Sequence, residues 1–150
     1  MRHFLNTCHT IEKNIAAIYR QFRQTVRCEQ ELQDIWTKLA QEEDRHALDI
    51  AFAARLAADV SLQQKDVTLQ RALQMKAFSQ QTLENTKIQP PSRQAAVELT
   101  LQLEEDFLAI HVTAAVEFTD ESLSRMFHSI AQDEKEHCRT IKAYHSRYFS

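Results

Sequence analysis

The chain contains no glycine, and its only prolines are the adjacent Pro90 and Pro91. Tight β-hairpins usually turn on Gly or Asn-Gly, so a sheet-rich fold is poorly served here. Proline breaks helix interiors, and here it does so at a single point. Long helices joined by few loops are the architecture that such a chain favours.

Apolar residues recur at steps of three and four through four long segments. The first is predicted helical from about Thr7 to Val26, with a seam of Leu5, Cys8, Glu12, Ile15, Tyr19, Phe22 and Val26. The second runs from about Glu29 to Ala58, with a seam of Leu32, Trp36, Leu39, Glu43, His46, Ile50 and Ala53. The third starts after Pro90-Pro91 with Ser92 as N-cap; its seam is Leu101, Glu104, Leu108, His111, Ala115 and Phe118. The fourth starts near Thr119-Asp120, with a seam of Leu123, Phe127, Ile130, Glu134, His137, Ile141 and Tyr144. Close joins within the first and last pairs predict two antiparallel hairpins. Residues 59–91 separate the pairs and carry their own amphipathic stretch, from about Val67 to Leu83, so they form a structured crossover. A length of 150 residues suits one domain spanning 1–150.

The seams are not wholly apolar. Glu12, Glu43, Glu104 and Glu134 interrupt them, one per segment, and His46 and His137 lie three positions after the second and the fourth. Residues three apart share a helix face, so each Glu-x-x-His tetrad offers a carboxylate and an imidazole to one centre. One such tetrad on a helix usually marks two surface residues. Here the tetrads are repeated: a shift of 91 carries Glu43, His46 and Trp36 onto Glu134, His137 and Phe127. A shift of 92 carries Glu12 onto Glu104 and Tyr19 onto His111. The pattern predicts a pseudo-twofold site.

A buried carboxylate is costly unless its charge is compensated, and no Lys or Arg stands on these seams. Two divalent cations would compensate the four glutamates. Mixed carboxylate and imidazole ligation suits iron or manganese, and zinc is also compatible. The expected terminal carboxylates are Glu12 and Glu104, the expected bridges Glu43 and Glu134. His46 and His137 would each supply one nitrogen. Glu42, Glu105, Asp133 and Glu136 fall off the seams and read as solvated groups or outer partners of the ligands.

The formal charge of −3 argues against a general nucleic-acid binder, which would carry a basic face. No apolar run reaches about 18 residues, so no membrane span is expected. Met1 to Asn6 lack the apolar stretch of a signal peptide, and a cytoplasmic location is expected. Cys8, Cys28 and Cys138 form no Cys-x-x-Cys pair, which argues against thiolate zinc or rubredoxin-like iron and for reduced thiols.

The stretches Ile11 to Tyr19, Leu39 to His46 and Ile130 to His137 resemble the ferritin-like superfamily, and rubrerythrin-like proteins in particular. The resemblance covers essentially the whole chain. It implies an all-α, ferritin-like four-helix bundle with a long, partly helical crossover between its second and third helices, and two iron ions at the six ligands named above. It also implies an oxidoreductase that reacts with peroxide or dioxygen, as a peroxide reductase or a ferroxidase. The alternatives are an iron-storage protein of ferritin type and a metal-bound helical module without turnover.

Two departures bear on the choice. Peroxide-reducing rubrerythrins typically carry a further glutamate one turn after the ligand of the third helix, where this chain has Phe107. They also commonly carry a rubredoxin domain, which these residues lack, so an external electron-donor protein is expected. Such proteins often place a tyrosine near a bridging carboxylate, and Tyr19 stands at that position as an outer hydrogen-bond donor. His111 reads as a core histidine, with an outer donor or an extra ligand as the alternatives. The apolar run from Ile50 to Ala58 suggests cover by the crossover or by another subunit, hence a homodimer or larger homo-oligomer.

Overall fold

The computed structural model describes residues 1–56 and 66–149. They form five helices: α1 (Arg2–Thr25), α2 (Gln30–Leu56), α3 (Asp66–Ile88), α4 (Arg93–Glu117) and α5 (Glu121–Phe149). No strand occurs among the described residues, in keeping with the expected all-α class. The four predicted segments are α1, α2, α4 and α5. α1 begins at Arg2 and not near Thr7. The predicted end of the second segment, Ala58, lies outside the described residues.

Local chemistry sets the boundaries. α1 stops where Val26 turns extended, at φ −89 and ψ 124. Ser92 Oγ accepts the Ala95 N–H at 3.2 Å and opens α4. Asp120 Oδ1 accepts the Leu123 N–H at 2.9 Å and opens α5. Both caps satisfy a donor that the first helical turn leaves free.

Side-chain links define the topology. Phe22 packs on Trp36 near the α1–α2 turn, with ring centroids 5.4 Å apart, and Lys13 Nζ meets Asp44 at 2.9 Å farther along this hairpin. In the second hairpin, Ser124 Oγ donates to the Ala115 carbonyl at 2.7 Å near the turn. Lys142 reaches Glu105 at 3.0 Å deeper in it. Arg93–Glu29, just before α2, and Trp36–Thr100, within it, both 3.1 Å, link this stretch to α4 at the same residue separation of 64. α2 and α4 therefore run parallel, which is what a long crossover permits.

α3 is a full helix on the outside of α1. Its buried stripe is Thr68, Ala72, Met75, Ser79, Thr82 and Thr86, alternating steps of four and three. Small side chains let two helix backbones approach closely, and Asn14 Nδ2 donates to Ser79 Oγ at 3.1 Å across the contact. Apolar periodicity understated this helix because its inner face is largely Thr, Ser and Ala. It runs on to Ile88, and Val67 is 64% exposed.

The predicted seam of α4 needs correction. Leu101 and Leu108 are only half-buried, whereas Leu103, Phe107, Ile110 and Ala114 are buried. α4 touches α5, α3 and α1, so its buried arc is wider than a single stripe. Two aromatic layers cap the middle of the bundle. Phe4, Phe118 and Phe127 form one, with centroids 5.0–6.1 Å apart, and Phe22 with Trp36 forms the other. Among the described residues no helix is long and apolar enough to cross a membrane.

Candidate metal centre

Glu12 from α1, Glu43 and His46 from α2, Glu104 from α4, and Glu134 and His137 from α5 all meet between the aromatic layers. Each is at most 3% exposed. Steps of three and four had placed them on core seams, and the parallel α2–α4 arrangement brings the two hairpins' seams together.

The donor atoms fall into two groups, Glu12, Glu43, His46 and Glu134 in one and Glu43, Glu104 and His137 in the other. Within each group one donor atom per residue lies within 4.8 Å of the rest. Glu43 belongs to both, as a bridge must. Glu134, the other expected bridge, stands in the first group only. Its Oε2 is 2.8 Å from His111 Nδ1, which holds it there.

A cation fits what the residues leave unsatisfied. Both carboxylate oxygens of Glu12 and of Glu43, Glu134 Oε1, His46 Nδ1 and His111 Nε2 are buried with no hydrogen-bond partner. Native interiors leave few such atoms, and seven in one cluster form a preassembled set of oxygen and nitrogen donors. Those donor types suit iron, manganese or zinc.

Outer partners orient the imidazoles crosswise. His46 Nε2 lies 3.0 Å from Asp133 Oδ2, and His137 Nε2 pairs with Glu42. Each carboxylate immediately precedes the tetrad glutamate of the other helix. If each Nε2–H donates outward, each Nδ1 turns its lone pair to the centre. The sequence left Glu42 and Asp133 as solvated or outer groups; the fold makes both outer partners, while Glu105 and Glu136 stay exposed. Tyr19 Oη donates to Glu104 Oε1 at 2.7 Å, so its carboxylate is the expected terminal one and not a bridge.

His111, read from the sequence as a core histidine, is buried as expected, but its Nε2 has no hydrogen-bond partner. It lies against the first donor group, 3.7 Å from Glu12 Oε1 through Nε2. Phe107 and Phe127 pack against it, with centroids at 4.0 and 5.3 Å. The signal that pointed here was its correspondence with Tyr19 under the 92-residue shift.

Burial, and then the charge of Glu43, push the Glu12 and Glu134 carboxyls well above the ordinary range. The same two causes raise Glu104 to about 7, although His137 and Tyr19 oppose them. Burial would also raise Glu43, but Glu12, His137 and His46 outweigh it and hold this carboxylate low. Burial would lower His137, yet Glu104 and Glu43 overcome it and raise the ring to about 12. Burial and the neighbouring His46 lower His111 to about 3, so its ring is neutral. Protons thus carry part of the positive charge that this cluster requires. Cys8, Cys28 and Cys138 are unpaired, and burial raises each thiol.

Neither a curated protein nor a solved structure matches the chain. A family model described as Rubrerythrin matches residues 3–145, a span that takes in all six candidate ligands and both of their supporting hairpins. The chain therefore belongs to the Rubrerythrin family, whose ferritin-like domain binds a pair of irons.

Proposed function

We propose that the chain is a di-iron carboxylate oxidoreductase that reacts with peroxide or dioxygen. The observation that carries this reading is the convergence of seven unsatisfied, buried donor atoms between two aromatic layers. Glu12, Glu43, His46 and Glu134 would hold one ion, and Glu43, Glu104 and His137 the other. Bound iron(II) would supply the electrons that reduce the oxidant.

The protein's part is to hold, orient and exclude. Asp133 and Glu42 fix the two imidazoles, and Tyr19 fixes Glu104. The Phe4–Phe118–Phe127 layer and the Phe22–Trp36 pair shield the centre from bulk water on two sides, and electrostatic interactions are stronger where water is excluded. Family membership favours peroxide as oxidant. Phe107 favours the ferroxidase form: it is 1% exposed and packs on His111 at 4.0 Å, where a further exchangeable carboxylate would otherwise stand. Manganese or zinc would also suit the donors.

The reading includes a cytoplasmic location, an external electron-donor protein, and assembly as a homodimer or larger homo-oligomer. Leu48, Phe52 and Leu56 support the assembly: they recur every four positions on α2 and are 72%, 63% and 65% exposed. An apolar stripe of this kind is often covered by a partner.

The test is anaerobic loading of the metal-free protein with iron(II), a count of bound iron, and addition of peroxide and then dioxygen. About two irons per chain, oxidised fastest by peroxide, would support peroxide reduction. Preferential oxidation by dioxygen would support ferroxidase activity, and a large shell retaining many more irons would support storage. Bound iron that neither oxidant touches would leave a metal-bound module without turnover. A folded chain that binds no iron would sink the di-iron reading.

A further inference from the structure

The two halves of the cluster are not chemically equal. Tyr19 and His111 occupy corresponding places in α1 and α4. Tyr19 spends its one hydroxyl on Glu104 at 2.7 Å. His111 has two ring nitrogens, and only one has a partner. Nδ1 lies 2.8 Å from Glu134 Oε2; with Glu134 ionised beside a cation, Nδ1–H would donate to that carboxylate and leave the lone pair on Nε2.

Nε2 is buried, has no hydrogen-bond partner and faces Glu12 Oε1 at 3.7 Å. The same oxygen stands 3.8 Å from His46 Nδ1. All three atoms are unsatisfied. Separations of this size are too long for hydrogen bonds. They do suit two donors on one cation, because ligands about 2.1 Å from a shared ion lie about 3 to 4 Å apart. Around Glu104 the situation differs: Oε1 accepts from Tyr19, and Oε2 lies 3.2 Å from His137 Nδ1. The unsatisfied donors are therefore concentrated at one metal position.

We propose that His111 is a further protein ligand, through Nε2, of the ion held by Glu12, Glu43, His46 and Glu134. This position then has two nitrogen donors against one at the Glu43–Glu104–His137 position, and it fills first and more tightly. The inference rests on the di-metal reading above.

The experiment is an anaerobic cobalt(II) titration of the full chain, followed by visible absorption and equilibrium dialysis. Wild type is expected to bind two cobalt ions in resolved steps. His111→Asn keeps an amide donor where Nδ1 stood and removes Nε2. It is expected to weaken the tighter step by at least about tenfold, since even outer partners of a metal cost that much when removed. It should also change the d–d bands of the first ion and leave the second step unmoved. If H111N binds both ions with wild-type affinity and spectrum, His111 serves only as a donor to Glu134 and the proposal is overturned. Should H111N lose its helical circular dichroism, His111→Phe replaces it, which keeps a ring against Phe107 and Phe127 and offers no ligand atom, with the same change expected in the tighter step and the same reversal if that step is unchanged. Wild type that folds but binds no cobalt overturns the di-metal reading together with this one, which separates the two failures.

Discussion

Glu12, Glu43, Glu104 and Glu134, all between 0% and 2% exposed, sit in one bundle with no lysine or arginine among them. Their burial is tolerated because each has a charge or a proton nearby, and His46 and His137 are held in place by carboxylates from the opposite hairpin. Those outer carboxylates are partly exposed, so replacing them should leave the core intact. Glu42→Gln and Asp133→Asn are each expected to weaken metal binding about 10- to 100-fold, with helical content unchanged. Equilibrium dialysis beside circular dichroism tests this, and unchanged affinity in both variants would mean that the crosswise pairs do not orient the ligands. At this scale the six ligand candidates were legible, because a seam position is a local property of one helix. The pairing of His46 with Asp133 was not, since it spans 87 positions of chain.

Among the elements, α3 departs most from the sequence reading. Its inner face packs on α1 through Ala72, Ser79 and threonines, so close approach and not apolar area holds it. Ala72 is 0% exposed, and Ala72→Leu is expected to cost about 1–3 kcal/mol by overpacking. For a chain of this size that is a fall of a few degrees in melting temperature, roughly 2–4 °C per kcal/mol. Val67→Leu, on the exposed side of the same helix, should change little. Thermal melts of the two variants decide it: equal melting temperatures would show that α3 is loosely attached. The caps Ser92 and Asp120 were readable in advance because capping needs only the next three residues. The extent of α3 was not, because a Thr and Ser stripe looks polar until a neighbouring helix covers it.

For the whole molecule, protonation opposes metal loading. The folded values of Glu12, Glu104 and Glu134 are raised by burial first and by Glu43 next, and His137 is raised by its carboxylates. The folded chain then holds more protons than the unfolded one. Stability from such groups is present at low pH and is lost as pH rises through their folded values. Glu104, moving from 4.5 to about 7, is alone worth about 3 kcal/mol over that interval. His111, lowered from 6.5 to about 3, and Glu43, lowered from 4.5, act in the opposite sense, but below about 6.5. The melting temperature of the metal-free protein is therefore expected to fall between about pH 6.5 and about pH 9. Ions that displace these protons should bind more tightly as pH rises and stabilise the fold. Melts with chelator and with anaerobic iron(II) check both; a metal-free melting temperature that climbs over this range would contradict the account.

The absence of glycine, the lone Pro90-Pro91 break and the three-and-four spacing determined an all-α chain of two helical hairpins. They also placed one glutamate on each of four seams and a histidine on two of them. These are properties of single helices, set by periodicity and steric rules that act within a few residues. The tertiary structure decided what lies between helices: α2 against α5 and α1 against α4, Glu43 in both donor groups, Asp133 and Glu42 behind the imidazoles, and His111 against Glu134 and Glu12. Those outcomes depend on helix rotation and on side-chain volumes such as Phe107 against His111, and a difference of one position around a helix, about 100°, is enough to change which atoms meet.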